Sequence, residues 1–314
     1  MMNGMDGNSG HKGHVKKSSY QVIKKNKLSS DVIRTFQKVI YTYYKTHRRA
    51  FPWRKTRNPY HILISEIMLQ QTQTDRVIEK YTQFITQFPD FFSLAQIPLQ
   101  EIVRQWQGMG YNRRAVALKN IARVVVEQFQ GRLPSSVEVL MTLPGIGRAT
   151  ASAIAAFAFN APTVFIETNI RAVFIHFFFQ DRHNVKDCEI LPFVKKTLDT
   201  SNPRRWYYAL MDYGVMLKKL YPDLGKRSGH YKKQTPFKGS NRQVRGMILK
   251  ALTATTDASE KELIQTLYIS AEQIRKNLIQ LEKEGFIKRT RKTIFNCVTY
   301  VRFNRNYHLL EFVL

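Results

Sequence analysis

From Asp31 onward the apolar positions fall at spacings of three and four, and they hold that spacing for most of the chain. Val32, Phe36, Val39, Ile40 and Tyr43 mark a first amphipathic helix. Phe51-Pro52-Trp53-Arg54 and Asn58-Pro59-Tyr60 are turn chemistry, and a strongly apolar helix is predicted from His61 to Gln73. Further helices are predicted from Thr74 to Phe88, Phe91 to Ala95, Pro98 to Gln105, Arg113 to Gln130, Ser136 to Thr142 and Ala149 to Phe159. Proline and glycine separate them at Pro89, Gly108, Gly110, Gly131, Pro134, Gly145 and Gly147. Pro162 to Ile166 reads as extended, and Glu167-Thr168-Asn169 leads into a helix carrying Ile170, Val173, Phe174 and Phe177. Strand-like alternation is nearly absent before residue 285, so the main body is predicted to be all-α.

The pattern changes at both ends. Residues 1–28 are Gly, Lys, His, Ser and Asn with almost no core formers, and are expected to be a disordered basic arm. The helical body is assigned to 29–220. Residues 221–240, rich in Lys, Gly, Pro and Ser, are expected to be a basic linker, either solvated or in contact with phosphate. The remainder, 241–314, carries three short helices, roughly Arg242–Thr253, Ser259–Leu267 and Ser270–Glu284, followed by two strands, Gly285–Thr290 and Thr293–Val301. Three helices and then a basic hairpin is the order of a small α+β winged helix. Its third helix would bury Ala271, Ile274, Leu278 and Leu281 and expose Gln273, Arg275, Lys276 and Lys283. Lys288, Arg289, Arg291 and Lys292 would be wing contacts to DNA; docking to a protein is the alternative.

Charge narrows the partner. Lys and Arg number 50 against 23 Asp and Glu, a formal net charge of +27, which points to a polyanion. The longest purely apolar run, Ala153 to Phe159, is far short of the ~20 residues that a membrane-spanning helix needs. Only two cysteines occur, Cys188 and Cys297, which excludes a disulfide framework, a four-cysteine zinc site and an iron–sulfur cluster. Both are expected to be small buried hydrophobes. No apolar segment with a small-residue cleavage site opens the chain, so a reduced, intracellular, non-secreted protein is expected.

Three strings carry candidate chemistry. Leu143-Pro144-Gly145-Ile146-Gly147-Arg148 lies between two helical patterns, where two glycines let the backbone approach a phosphate and the next helix offers its N–H groups. The ordinary reading is a tight helix–helix turn, but in so basic a helical chain the phosphate reading prevails. Between Ile62 and Leu69 only Ser65 and Glu66 are polar, and Glu66, Gln70 and Gln73 at i, i+4 and i+7 would share one helical stripe. A carboxyl in that setting is either a solvated group or, with a raised pKa, a general acid. Glu167 stands at a helix N-terminus, where the dipole favours an ionised carboxylate. It is either a cap or the charged half of an acid pair that cleaves a glycosidic bond.

Together these strings resemble the helix-hairpin-helix DNA glycosylases of the endonuclease III superfamily, most of all the MutY-type adenine glycosylases. The similarity rests on Phe51 to Arg54, Ser65 to Gln73, Gly108 to Tyr111, Leu143 to Arg148, Glu167 to Arg171 and Ala209 to Gly214, in order, from about residue 31 to 220. It implies a two-lobed all-α domain that bends duplex DNA and flips a target base into a pocket. It makes Glu66 the general acid for the adenine ring and Glu167 the carboxylate that stabilises the sugar. Gln70 and Gln71 would lie near the flipped base and the gap it leaves, and Tyr111 would contact the mismatch. Leu143, Gly145, Gly147 and Arg148 would anchor phosphate, with Asn169 and Arg171 also at the DNA.

Three departures from the family pattern stand out. Glu167 replaces the usual Asp; Ala149 stands where bifunctional members carry a nucleophilic lysine; and the four cluster-binding cysteines after Gly214 are replaced by Lys218, Lys219, Lys226, Arg227, Lys232 and Lys233. The expectation is a monofunctional, cluster-free glycosylase acting as a monomer on mismatched duplex DNA, in the cytoplasm of a bacterium or the nucleus of a eukaryote. Nothing after residue 240 resembles the MutY domain that recognises 8-oxoguanine. A glycosylase for thymine or uracil opposite G, and a non-catalytic DNA-binding regulator, therefore stay as alternatives.

Overall fold

The computed structural model describes residues 28–233, 236–255, 257–290 and 293–296. The basic arm up to residue 27, Arg291, Lys292 and Cys297 lie outside the described residues. In chain order the helices are α1 (Ser30–His47), α2 (Pro59–Leu69), α3 (Thr74–Gln87), α4 (Phe91–Gln96), α5 (Leu99–Gln105), α6 (Arg113–Phe129) and α7 (Val137–Leu140). They continue as α8 (Arg148–Phe159), α9 (Thr168–Phe178), α10 (Asp187–Thr197), α11 (Pro203–Leu220), α12 (Asn241–Ala254), α13 (Glu260–Leu267) and α14 (Ala271–Lys283). No described helix is long and apolar enough to cross a membrane. The contacts divide the chain into two compact units: the stretch up to Arg49 with Asn160–Lys232, and Ala50–Phe159 with the segment from Lys233.

In the first unit, α11 packs along α9 and α1. Phe36 of α1 meets the edges of Phe177, Phe178 and Trp206 at centroid distances of 5.2, 5.2 and 5.8 Å. Asp212, buried on α11, accepts from the Arg49 backbone N–H at 3.0 Å and from its Nε at 2.6 Å, which ties the chain beyond α1 to this core. The approach of α11 to the start of α9 is unusually close at Gly214, where an added Cβ would lie 2.3 Å from the Asn169 carbonyl oxygen.

The expected linker begins later than residue 221. Pro222–Arg227 forms a 3-10 turn with Leu224 buried. Val185 N–H donates to the Arg227 carbonyl at 3.0 Å, and Gly229 N–H donates to the Val185 carbonyl at 2.9 Å. The Arg227 guanidinium donates to the carbonyls of Phe179 and Arg182. One apolar plug and a short run of backbone pairing dock a stretch whose Lys and Gly content reads as solvated.

In the second unit α2 packs against α3, α6 and α8. Trp53, Tyr60, Tyr81, Phe84, Phe88 and Trp106 supply its large buried rings. Lys119 of α6 donates to the carbonyls of Ala95 and Ile97, at 2.5 Å each, satisfying the C-terminus of α4.

The segment from Lys233 groups with this unit. Its α12 to α14 surround a three-stranded antiparallel sheet in the order β1 (Asp257–Ala258), β3 (Ile294–Asn296), β2 (Ile287–Arg289). Ile248, Leu252, Leu263, Ile274, Leu278 and Phe286 form its core. Ser240, Ser259 and Ser270 cap the three helices through their side chains. Strand β1 has only two residues, too few for any alternation to be visible in the sequence.

Gly214→Ala is expected to lower the stability of the protein by about 1–3 kcal/mol, because the added methyl overlaps backbone; chemical denaturation with an unchanged m-value checks it.

Candidate functional site

Helix α2 starts cleanly. Asn58 caps it, accepting from Tyr60 N–H at 2.9 Å, and Pro59 occupies its first turn. From Tyr60 to Met68 every residue except His61 and Glu66 is buried, and Glu66, the one carboxyl of this helix, is half-buried. The helix stops at Leu69, four residues short of the expected end. Gln70 and Thr72 N–H bond to the carbonyls of Ile67 and Leu69 at 3.3 Å each, and Gln71 takes a left-handed φ of 52°. Glu66, Gln70 and Gln73 therefore do not form a continuous helical stripe.

The reason lies in Arg114 at the start of α6. It is 7% exposed, and among the described residues no carboxylate is one of its hydrogen-bond acceptors. Nη1 donates to the carbonyls of Ile67, Met68 and Gln70 at 3.0, 2.8 and 2.6 Å. Nη2 donates to Thr72 Oγ1, Met109 O and Gly110 O at 3.0, 3.1 and 3.0 Å. A guanidinium thus satisfies the orphan carbonyls at the negative end of α2 and stops the helix there. Burial pulls its pKa down to about 10, which leaves it charged at neutral pH.

The same guanidinium fixes the Gly108–Tyr111 turn, where Gly108, Gly110 and Tyr111 have φ of 86°, 67° and 48°. Trp106 Nε1 donates to the Gly110 carbonyl at 3.0 Å, so the turn is held from two sides. Tyr111 is half-buried, with Arg114 lying 5.5 Å from its ring centroid. The sequence reading treats Arg114 only as part of a helix start.

The hairpin between α7 and α8 divides into anchors and contacts. Leu143, expected at the DNA, is 2% exposed and plugs the core together with Ile146. Gly145 is required by its φ of 75°, and an added Cβ would come 3.1 Å from Ala117 Cβ. Gly147, Arg148 and Ala149 are exposed at the start of α8, where the first N–H groups have no intrahelical acceptor. Gln70 Nε2 donates to Thr150 Oγ1 at 3.3 Å, which brings the end of α2 to the same helix N-terminus. Glu66, Gln70, Gln71, Tyr111 and the hairpin all belong to the second unit.

Glu167 belongs to the first unit and caps α9. Its Oε1 accepts from Asn169 and Ile170 N–H at 2.8 Å each, and Oε2 accepts from Asn169 Nδ2 at 3.1 Å. The carboxylate bonds both amides at the start of α9 while staying half-buried. Lys218 of α11 is close enough to feel its charge: burial lowers the lysine pKa, and Glu167 opposes that shift.

Two expected DNA contacts are engaged elsewhere. Arg171 forms a two-pronged pair with Asp187 at 2.6 and 2.7 Å, and Arg289 is paired with Glu282. Both guanidinium groups hold the fold instead. Lys288 is exposed. Cys188, expected to be buried, is exposed in the first turn of α10.

The donor set does not fit the iron–sulfur cluster that the family resemblance implies after α11. Two cysteines cannot supply four thiolates, and among the described residues no group of three or more His, Cys, Asp or Glu side chains is placed to hold a metal.

Residues 64–190 match the family of HhH-GPD superfamily base excision DNA repair proteins. The chain is similar to adenine DNA glycosylases and to a thymine/uracil-DNA glycosylase. It is 35% identical over 186 residues to an adenine DNA glycosylase of Buchnera aphidicola subsp. Baizongia pistaciae, covering 58% of this chain and 52% of the relative. It is 36% identical over 146 residues to a thymine/uracil-DNA glycosylase of Methanothermobacter thermautotrophicus, covering 46% of this chain and 66% of the relative. The chain thus spans about half the length of the first of these relatives and about two thirds of the second. A solved structure of a thermostable thymine-DNA glycosylase superposes with a TM-score of 0.54 at 29% identity, over 59% of this chain and 87% of that one.

Arg114→Met is expected to cost about 3 kcal/mol or more, since it leaves several buried carbonyls without donors. Arg114→Lys should recover only part of this, because an ammonium cannot reproduce the planar fork; denaturant unfolding of both variants checks the order.

Proposed function

We propose that this protein is a DNA glycosylase of base excision repair that hydrolyses the N-glycosidic bond of a mispaired adenine extruded from the duplex. Glu66 carries the reading: a single half-open carboxyl on a helix whose other residues from Ile62 to Met68 are buried. That setting keeps bulk water from competing for the proton it delivers to the leaving adenine. Glu167 offers its charge to the oxocarbenium-like sugar, and a water completes the substitution at C1′ to give free base and an abasic site. Its cap bonds fix the carboxylate's direction.

The remaining roles are assigned within the same reading. The exposed N-terminus of α8 at Gly147 and Arg148 takes a phosphate without reading sequence. Gln71, exposed on a left-handed turn, fills the gap left by the base, and Gln70 and Tyr111 face the extruded base and its former partner. With Ala149 exposed in that first turn, no amine is offered there for a Schiff base, so the enzyme is monofunctional. No cluster takes part. The C-terminal helices and sheet act as a winged helix with Lys288 toward DNA. The protein works as a monomer on duplex DNA, wherever the cell keeps it.

A second reading, removal of thymine or uracil opposite G, is favoured by the Methanothermobacter relative and by the changed acid at Glu167.

Single-turnover assays on A·8-oxoguanine, A·G, A·C, G·T and G·U duplexes decide between these readings. Release of adenine, with strand scission only after alkali, is the expected result. Release at G·T or G·U instead supports the second reading, scission without alkali overturns the Ala149 argument, and tight binding with no release on any duplex indicates a regulator. Glu66→Gln should cut base release by ~100-fold or more while leaving duplex affinity nearly unchanged; lost affinity would make Glu66 structural. Affinity should fall steeply between low and high salt.

A further inference from the structure

The segment from Lys233 reaches the Tyr111 turn through specific polar links. Arg242, on the first turn of α12, donates from Nη1 to the Tyr111 hydroxyl at 3.0 Å, with its guanidinium carbon 5.9 Å from the ring centroid. Gln107 Nε2, just before the turn, donates to Thr253 Oγ1 at 2.8 Å. Glu284, at the end of α14, accepts from Arg113 at 2.6 Å and from Arg245 at 3.1 and 2.5 Å. Tyr111 itself has a φ of 48°, a conformation that a bulky residue keeps only when its surroundings impose it. Arg114 imposes it from the backbone side through Gly110, and Arg242 fixes the far end of the ring.

We propose that Arg242 is a specificity-determining positioning residue. It sets the direction of the Tyr111 ring, so that the C-terminal helices help to distinguish a mispair from a matched pair. The proposal rests on the reading that Tyr111 meets DNA at the mispair. A ring wedged at that point reports how readily the pair opens, which costs less at a mispair than at a matched pair, whereas phosphate contacts strengthen binding to any duplex alike. Arg242 therefore acts on selectivity through geometry, and its charge is the lesser part. Lysine keeps the charge but loses the rigid fork and the stacking face.

The test uses the full chain and the ratio of affinities for A·G over matched A·T duplex, measured alongside the ratio of base release. Arg242→Lys is expected to lower the affinity ratio by about tenfold while the salt slope stays at the wild-type value. Tyr111→Phe, which removes only the hydroxyl, should lower it similarly, and the double variant should fall no further. Gln107→Ala breaks the neighbouring link without touching Tyr111 and should retain the wild-type ratio. An unchanged ratio in Arg242→Lys overturns the inference. So do full additivity in the double variant, an equal loss in Gln107→Ala, and a wild-type ratio of one. Because the ratio is read by binding, a wild-type protein that selects the mispair but releases no base sinks the catalytic reading alone.

Discussion

Arg114 is the constraint on which the candidate site depends. A buried cation with carbonyls for acceptors is costly to desolvate, and it persists only because six acceptors converge on it. Through them one side chain decides where α2 ends, how the Gln70–Gln71 turn leaves it, and where the Gly108–Tyr111 turn lies. Glu66 is four residues before Gln70, so its place at the helix end is set by the same bonds. The carboxyl's chemistry and the glutamine and tyrosine geometry are therefore not independently adjustable.

The other unit applies a different device to Glu167. Gly214 lets α11 approach the Asn169 carbonyl closely, and Asn169 in turn bonds the Glu167 carboxylate with both its backbone and its side chain. Close helix packing and capping together give the longer acid a defined direction. One site is thus organised by a cation at a helix C-terminus and the other by amides at a helix N-terminus.

Much of this was legible in the sequence. The helices of the body, the hairpin glycines and the three C-terminal helices follow from three-and-four spacing and from local turn chemistry, which are short-range properties. What was not legible is long-range. The early stop of α2 comes from a guanidinium 44 residues away from Gln70. Leu143 reads as part of a DNA-facing string, yet its side chain turns inward beside Ile146. Arg171 and Arg289 read as DNA contacts, and their carboxylate partners Asp187 and Glu282 lie 16 and 7 residues away, at spacings that no local motif marks. The docked stretch at 222–227 escaped because composition registers its lysines, while a single leucine and backbone pairing with Val185 do the holding.

Both compact units are discontinuous in the chain, and this bears on synthesis. The first needs α1 together with residues up to 232, and the second needs α2 to α8 together with helices that end at Lys283. An emerging polypeptide can close α2 against α3, α6 and α8 once residue 159 has been made, whereas α1 waits for partners more than a hundred residues downstream. Vectorial production of this protein calls for a first helix that stays soluble while its cover is still unmade.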